Sequence, residues 1–269
     1  MSSTLPRTVT DASADVAIPK LVDAHGGRIY GLGLRLCGNE QDAEDLVQET
    51  FLRAYRHWHQ FEGRSDPATW LYSIAARACR RMHRRRVGEP ARMESLSELL
   101  PAGEATVPDV GTGAADQLDE QVRREAGETV DRAIGGLPPM FRQPLVLKEI
   151  ADFSLAEIAG ILGIKEATAK TRVHRGRLML RKALAARLPQ RAAPPPDHSR
   201  RVCLDLLSLK QEALDRGARF PLPGDVLCER CRATFATLDL GHGLCIDLGR
   251  GRLPEALRIV IMQRLGDAA

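Results

Sequence analysis

The residues best suited to chemistry lie near the end of the chain: Cys203, Cys228, Cys231, His242 and Cys245. The last four read Cys-x2-Cys-x10-His-x2-Cys, close to the spacing of zinc ribbons and knuckles. A CxxC turn aims two thiolates at one ion, and a second pair closes a tetrahedron at Zn–S distances of ~2.3 Å. Five candidates compete for four places. Cys228, Cys231 and Cys245 are common to both solutions, and either His242 or Cys203 completes the set. Soft thiolates accept Zn(II), Cd(II) or Cu(I), so Zn2+ is the expected cofactor, with copper or cadmium open as a sensed metal. A purely structural zinc and a thiol redox sensor using the same CxxC are the competing readings. Cys37 and Cys79 sit inside apolar helical patterns and read as small core residues.

Such a cluster implies a compartment where thiols stay reduced. The first 19 residues are polar and lack the apolar stretch of a secretory signal. No run of ~20 apolar residues offers a transmembrane helix. A cytoplasmic chain with no membrane partner is therefore expected. Hydrophobic residues make up 43% and charged residues 28%, ordinary for a globular protein, but aromatics only 4%. Cores must then be built from Leu, Ile, Val and Ala, which favours helices over a sandwich. A length of 269 residues suits two or three small domains.

Charge is blocked along the chain. Residues 20–87 are net +4, 88–130 net −7 and 131–191 net +7. Two basic blocks on either side of an acidic strip suggest two polyanion-binding modules on a linker. In the first block, 41–57 repeats Ala43, Leu46, Val47, Phe51 and Tyr55 at helical spacing. A loop, FEGRSD, follows, and Pro67 suits the first turn of the next helix. That helix carries an inner stripe of Trp70, Leu71, Ile74, Ala75 and Ala78. Its surface carries six arginines in ten residues, Arg77 to Arg86. In the second block, Ser154 with Glu157 forms a capping box, and Gly163 turns the chain into a longer helix from about 166. A short helix, a Gly turn and a basic second helix make a helix-turn-helix. PQRAAPPPDH reads as an extended spacer. Helices are expected at 200–216 and 254–265, either side of the cysteine stretch.

Two segments resemble a known family. DAEDLVQETFLRAYRHWHQF (42–61) with TWLYSIAARACRRMHRRR (69–86) is similar to region two of bacterial sigma factors of the extracytoplasmic-function group. LPPMFRQPLVLKEIADFSLAEIAGILGIKEATAKTRVHRGRLMLRKAL (137–184) resembles their region four. The resemblance implies binding to RNA polymerase core, at the β′ clamp helices and the β flap, and to promoter DNA, with an anti-sigma factor as a further possible partner. It assigns polymerase contact to Asp42, Asp45, Leu46, Gln48, Glu49 and Phe51, although Leu46 and Phe51 also fit a core role. It assigns the melted −10 strand to Gly63, Arg64, Trp70, Arg77, Arg80, Arg81 and Arg84, with Trp70 more readily read as core. Basic side chains along the backbone and an aromatic plane suit single-strand capture. The −35 element falls to the second helix of region four. There Lys165, Glu166, Thr168, Thr171 and Arg172 are candidates for the major groove, and Lys170, Arg175 and Arg177 for phosphates. The tail is similar to zinc-binding anti-sigma domains, but Gly224 stands where their His precedes the CxxC by four residues.

The expected fold class is all-α: two small helical domains on a flexible linker, plus a small α-rich zinc-binding C-terminal module. The divisions are a disordered tail (1–19), region two (20–87), an acidic linker (88–129), region four (130–188), a Pro-rich hinge (189–199) and the metal-binding regulatory module (200–269). No phosphate-cradling Gly loop, HExxH or Ser/His/Asp set is present, so no enzyme is expected. The function expected is a sigma factor under metal or thiol control. The alternative is a helix-turn-helix regulator that works without polymerase and has a structural zinc.

Overall fold

The structure, a computed structural model, describes residues 12–63, 66–84, 105–109, 120–248 and 252–268. The chain divides into two compact units, Met1–Gly88 with Gly249–Ala269, and Glu89–Leu248.

In the first unit α1 (Ala14–Cys37), α2 (Glu40–Arg56), a 3-10 turn (Trp58–Gln60) and α3 (Pro67–Arg84) pack together. Helix α1 starts at Ala14, inside the stretch expected to be a disordered tail. Ala17 and Ile18 are buried, and their packing holds the turn despite Pro19 within the helix. The glycines of α1 mark close contacts. A Cβ on Gly33 would lie 3.4 Å from Ala43, and one on Gly26 would lie 2.7 Å from Leu253. Gly38 ends α1 at φ 83°, and Asn39 caps α2 by accepting from the Asp42 N–H. Ile29, Leu36, Leu46, Phe51 and Leu71 form the core. Cys37 and Cys79 are buried in it with their sulfurs 3.5 Å apart, as small core residues. The last helix, α10 (Glu255–Gly266), lies against α1 and α2. It buries Leu257, Ile261 and Leu265, and its Arg258 Nε donates to Asp23 Oδ1 at 2.8 Å.

The second unit holds α4 (Glu120–Gly136), α5 (Pro139–Glu149), α6 (Leu155–Leu162), α7 (Glu166–Ala185), α8 (Arg200–Asp215) and α9 (Glu229–Leu248). The capping box at Ser154 and Glu157 is complete, and Gly163 turns at φ 63° between α6 and α7. The fold is not wholly α. β1 (Thr106–Pro108) pairs antiparallel with β2 (Gln190–Ala192), Val107 opposite Arg191. The start of the expected Pro-rich hinge is therefore tied by backbone hydrogen bonds to a piece of the expected linker, because extended residues flanking prolines still offer ladder donors and acceptors. Most of the expected linker lies outside the described residues.

The cysteine stretch is a 20-residue helix rather than a compact knuckle. Its buried positions Cys231, Thr234, Leu238, Gly241 and Cys245 recur every three or four residues, and the helix packs against α7, α4 and α8. Leu184 of α7 lies 3.2 Å from where a Cβ on Gly241 would stand. Residues 200–269, expected as one module, thus divide between the units: α8 and α9 belong to the second and α10 to the first.

Candidate nucleic-acid interface and metal centre

On the first unit, Asp45 of α2 is exposed, and Gln48 and Glu49 are half-buried. Glu49 accepts from Arg53 Nε one turn on. The structure places the other three expected contact residues differently. Leu46 and Phe51 are fully buried because the apolar stripe of α2 is the core stripe. Asp42 is buried at the helix start, where its carboxylate accepts from Asn39 Nδ2 at 2.8 Å. The edge open to a partner is Asp45, Gln48 and Glu49.

Beside it lies a pocket of about 190 Å3 lined by Arg53, His57, Gln60, Trp70, Ile74, Arg77 and Arg81. Trp70 is half-buried. Its ring meets Trp58 edge-on at 5.8 Å and Phe61 at 5.2 Å, so it belongs to an aromatic trio and also walls the pocket. An apolar floor under a rim of guanidinium groups suits a flat base with its phosphate. Arg80 is exposed on the same helix, and Gly63 is exposed at φ 67°. Arg64 and the side chain of Arg84 lie outside the described residues.

On the second unit, Lys165, Glu166 and Thr171 at the start of α7 are exposed, and Thr168, Arg172 and Arg175 are half-buried. Three further positions on one stripe, Lys170, His174 and Arg177, meet acidic partners. Lys170 Nζ donates to Glu212 Oε1 at 2.9 Å, and His174 Nε2 pairs with Asp215 Oδ2 at 2.7 Å. Arg177 is only 4% exposed. It reaches Glu149 at 2.7 Å, Asp215 at 2.6 Å and the side-chain oxygen of Gln211 at 3.1 Å. Arg177 is therefore a buried structural hub and not the open phosphate contact expected: while Glu149 and Asp215 enclose it, the guanidinium has no route to DNA.

Near the start of α9, Cys203, Cys228 and Cys231 place their sulfurs within 4.8 Å of one another. Cys203 comes from α8, so the cluster joins α8 to α9. Burial pushes the Cys203 and Cys231 thiols above their ordinary values, and for Cys231 the neighbouring sulfurs push in the same direction. Burial thus disfavours the bare thiolate at these two positions. A soft cation reverses that balance by binding the thiolates. Three soft donors at this spacing fit a thiophilic ion.

His242 and Cys245 do not join the cluster. They lie 11 and 14 residues beyond Cys231 on the same helix, or ~16 and ~21 Å along its axis at ~1.5 Å per residue. His242 instead pairs with the buried carboxylate of Glu149, and Cys245 is buried against α7.

The Sigma-70 region 2 family matches residues 21–88, and the Sigma-70 region 4 family matches 127–180. The ECF RNA polymerase sigma factor SigE of Mycolicibacterium smegmatis is 39% identical over 186 residues, 66% of this chain and 66% of SigE. The RNA polymerase sigma factor CarQ of Myxococcus xanthus is 33% identical over 177 residues, 64% of this chain and 91% of CarQ. ECF RNA polymerase sigma factor SigW of Bacillus subtilis is 36% identical over 174 residues, 65% of this chain and 89% of SigW. The chain belongs to the ECF sigma factors. Region two of this sigma factor is the α1–α3 bundle with its pocket, and region four is α4–α7. No described helix is long and apolar enough to cross a membrane.

Sequence reasoning about this sigma factor missed Glu149, Gln211, Glu212 and Asp215. One signal was available: Gln211, Glu212 and Asp215 share an edge of the 200–216 helix, as Lys170, His174 and Arg177 share a stripe of α7. The ion pairs also set a pH dependence. Burial alone would raise Glu149 and Asp215, but Arg177, His174 and His242 outweigh it and hold both carboxyls below their ordinary values. A depressed carboxylate contributes stability above its unfolded value, about 4, and loses it as pH falls further. Free of metal, the second unit should hold its melting temperature from neutrality to about pH 5 and then drop on acidification. Calorimetry between pH 3 and 7 checks this; a Glu149→Gln variant should show a flatter acid limb.

Proposed function

We propose that this sigma factor reads promoters with two separate surfaces and carries a zinc brace in its C-terminal part. Asp45, Gln48 and Glu49 form the acidic edge offered to core polymerase. The pocket rimmed by Arg53, Arg77 and Arg81 takes a base of the melted −10 strand, with Trp70 as its wall and Arg80 on the backbone. The start of α7 enters the −35 major groove with Thr168, Thr171 and Arg172 towards the bases and Lys165 and Arg175 towards phosphates. Cys203, Cys228 and Cys231 hold one thiophilic ion, with Zn(II) the ordinary choice and Cd(II) or Cu(I) compatible with the same donors. The ion supplies a cross-link between α8 and α9. It is the means by which metal supply reaches the DNA-binding half.

One observation carries this reading: an aromatic pocket rimmed with arginines and a helix-turn-helix occur in one chain. A regulator working through the helix-turn-helix alone would leave the pocket and the acidic edge of α2 without a role. The test is reconstitution with core polymerase. The wild-type chain should co-purify with core and open a promoter. Arg77→Ala with Arg81→Ala should keep core binding and lose most open-complex formation, with a salt slope shallower by about 0.7 for each single-strand phosphate that is no longer neutralised. Absence of core co-purification would sink the proposal.

A further inference from the structure

We infer that α8 is a built-in competitor of promoter DNA: its Gln211–Glu212–Asp215 edge occupies the Lys170–His174–Arg177 stripe of the reading helix where a phosphate backbone would lie. The inference rests on the sigma-factor reading of α7.

Lys170 lies in the first turns of α7, where the reading helix enters the groove. A helix in the major groove is flanked by two phosphate backbones, and cations on its flanks contact them. Here that flank is already taken. Glu212 Oε1 accepts from Lys170 at 2.9 Å, and Asp215 Oδ2 meets His174 at 2.7 Å. Gln211 Nε2 donates to the His174 carbonyl at 3.2 Å, so α8 also grips the backbone of the reading helix. The carboxylates carry the charge of the phosphates they replace. Both stay ionised, because Lys170 holds Glu212, and His174 and Arg177 hold Asp215, below the ordinary carboxylate range. A helix is ~10 Å across with its side chains, so α8 also fills the space a backbone needs.

The contact does not depend on charge alone. Leu178 of α7 shares one apolar cluster with Leu206, Leu207 and Leu214 of α8 and with Phe235 and Leu238 of α9. Cys203 is on α8, in the turns before the acidic edge. The thiol cluster that fixes the start of α8 to α9 therefore fixes the position of the competitor.

The test uses the full chain and a random-sequence 30-base-pair duplex, read by fluorescence anisotropy from 50 mM to 300 mM salt. Glu212→Gln frees Lys170 and removes a like charge from the backbone's path. Affinity should rise about fivefold to tenfold at 50 mM salt, with a slope steeper by about 0.9 for the phosphate regained. Asp205→Asn makes the same change in net charge at an exposed position earlier on α8 and should leave both values unchanged. Equal affinities and slopes for the two variants would overturn the inference. If Glu212→Gln does not fold, acetylation of the wild-type chain decides. Lys170 should react several times more slowly than the exposed Lys165, and equal rates would overturn it. Core polymerase binding is measured on the same samples. Its loss counts against the sigma-factor reading, whereas unchanged DNA binding with intact core binding counts only against competition by α8.

Discussion

Arg177→Ala unfolds the second unit at a markedly lower urea concentration than wild type, with a loss of about 3–5 kcal/mol. The guanidinium is 4% exposed and bridges Glu149 and Asp215. Its removal leaves two carboxylates with reduced compensation, one of them fully enclosed. Domains of this size have only about 5–15 kcal/mol to lose, so the effect is large. The pair Glu149→Gln with Arg177→Met removes the charges together and should cost clearly less than the sum of the two single changes. This outcome separates the buried hub from the phosphate contact expected from sequence. A phosphate contact would give a native urea midpoint and a shallower salt slope on DNA. The hub gives a shifted midpoint, with no loss of DNA affinity beyond the unfolded fraction.

Local signals in the sequence were faithful. The apolar stripe of α2, Pro67 at the start of α3, the Ser154–Glu157 box and Gly163 each act within a few residues, and each element lies where its signal stands. The expected helices at 200–216 and 254–265 match α8 and α10 within a residue or two. What stayed hidden depends on partners far along the chain. His242 is three residues from Cys245 in sequence, yet it turns to Glu149, 93 residues away. The CxxC spacing identified two members of the thiol cluster, but helix α9 draws Cys245 away, and glycines at 241 and 243 disguise a helical pattern that α7 completes by packing on Gly241. Leu46 and Phe51 carried the family's motif and are also the core stripe; their burial assigns them to the core. The β1–β2 ribbon joins two segments about 80 residues apart, a pairing that neither segment announces alone.

Cys228→Ser with Cys231→Ser abolishes zinc binding and loosens α8 from α9, the second large effect. Structural zinc bound by thiolates contributes about 10–16 kcal/mol of apparent binding energy near pH 7, and that energy counts towards folding. Purified wild-type chain should retain one equivalent of zinc by elemental analysis, and the double variant none. Cys245→Ser should retain it, since that residue lies ~21 Å along the helix from Cys231. Cys203→Ser leaves two ligands on one helix turn and should weaken zinc steeply without abolishing the CxxC contact. Chelation of the wild type should increase amide exchange first at the start of α8, where Cys203 sits, because the Lys210–Asp239 pair and the bonds of Gln211, Glu212 and Asp215 hold only its later turns. A half-exposed pair contributes less than about 1 kcal/mol and cannot replace the ion. Exchange unchanged on chelation, or zinc retained by the double variant, would remove the cross-link and leave α8 held by its leucines and by the bonds of Lys210, Gln211, Glu212 and Asp215.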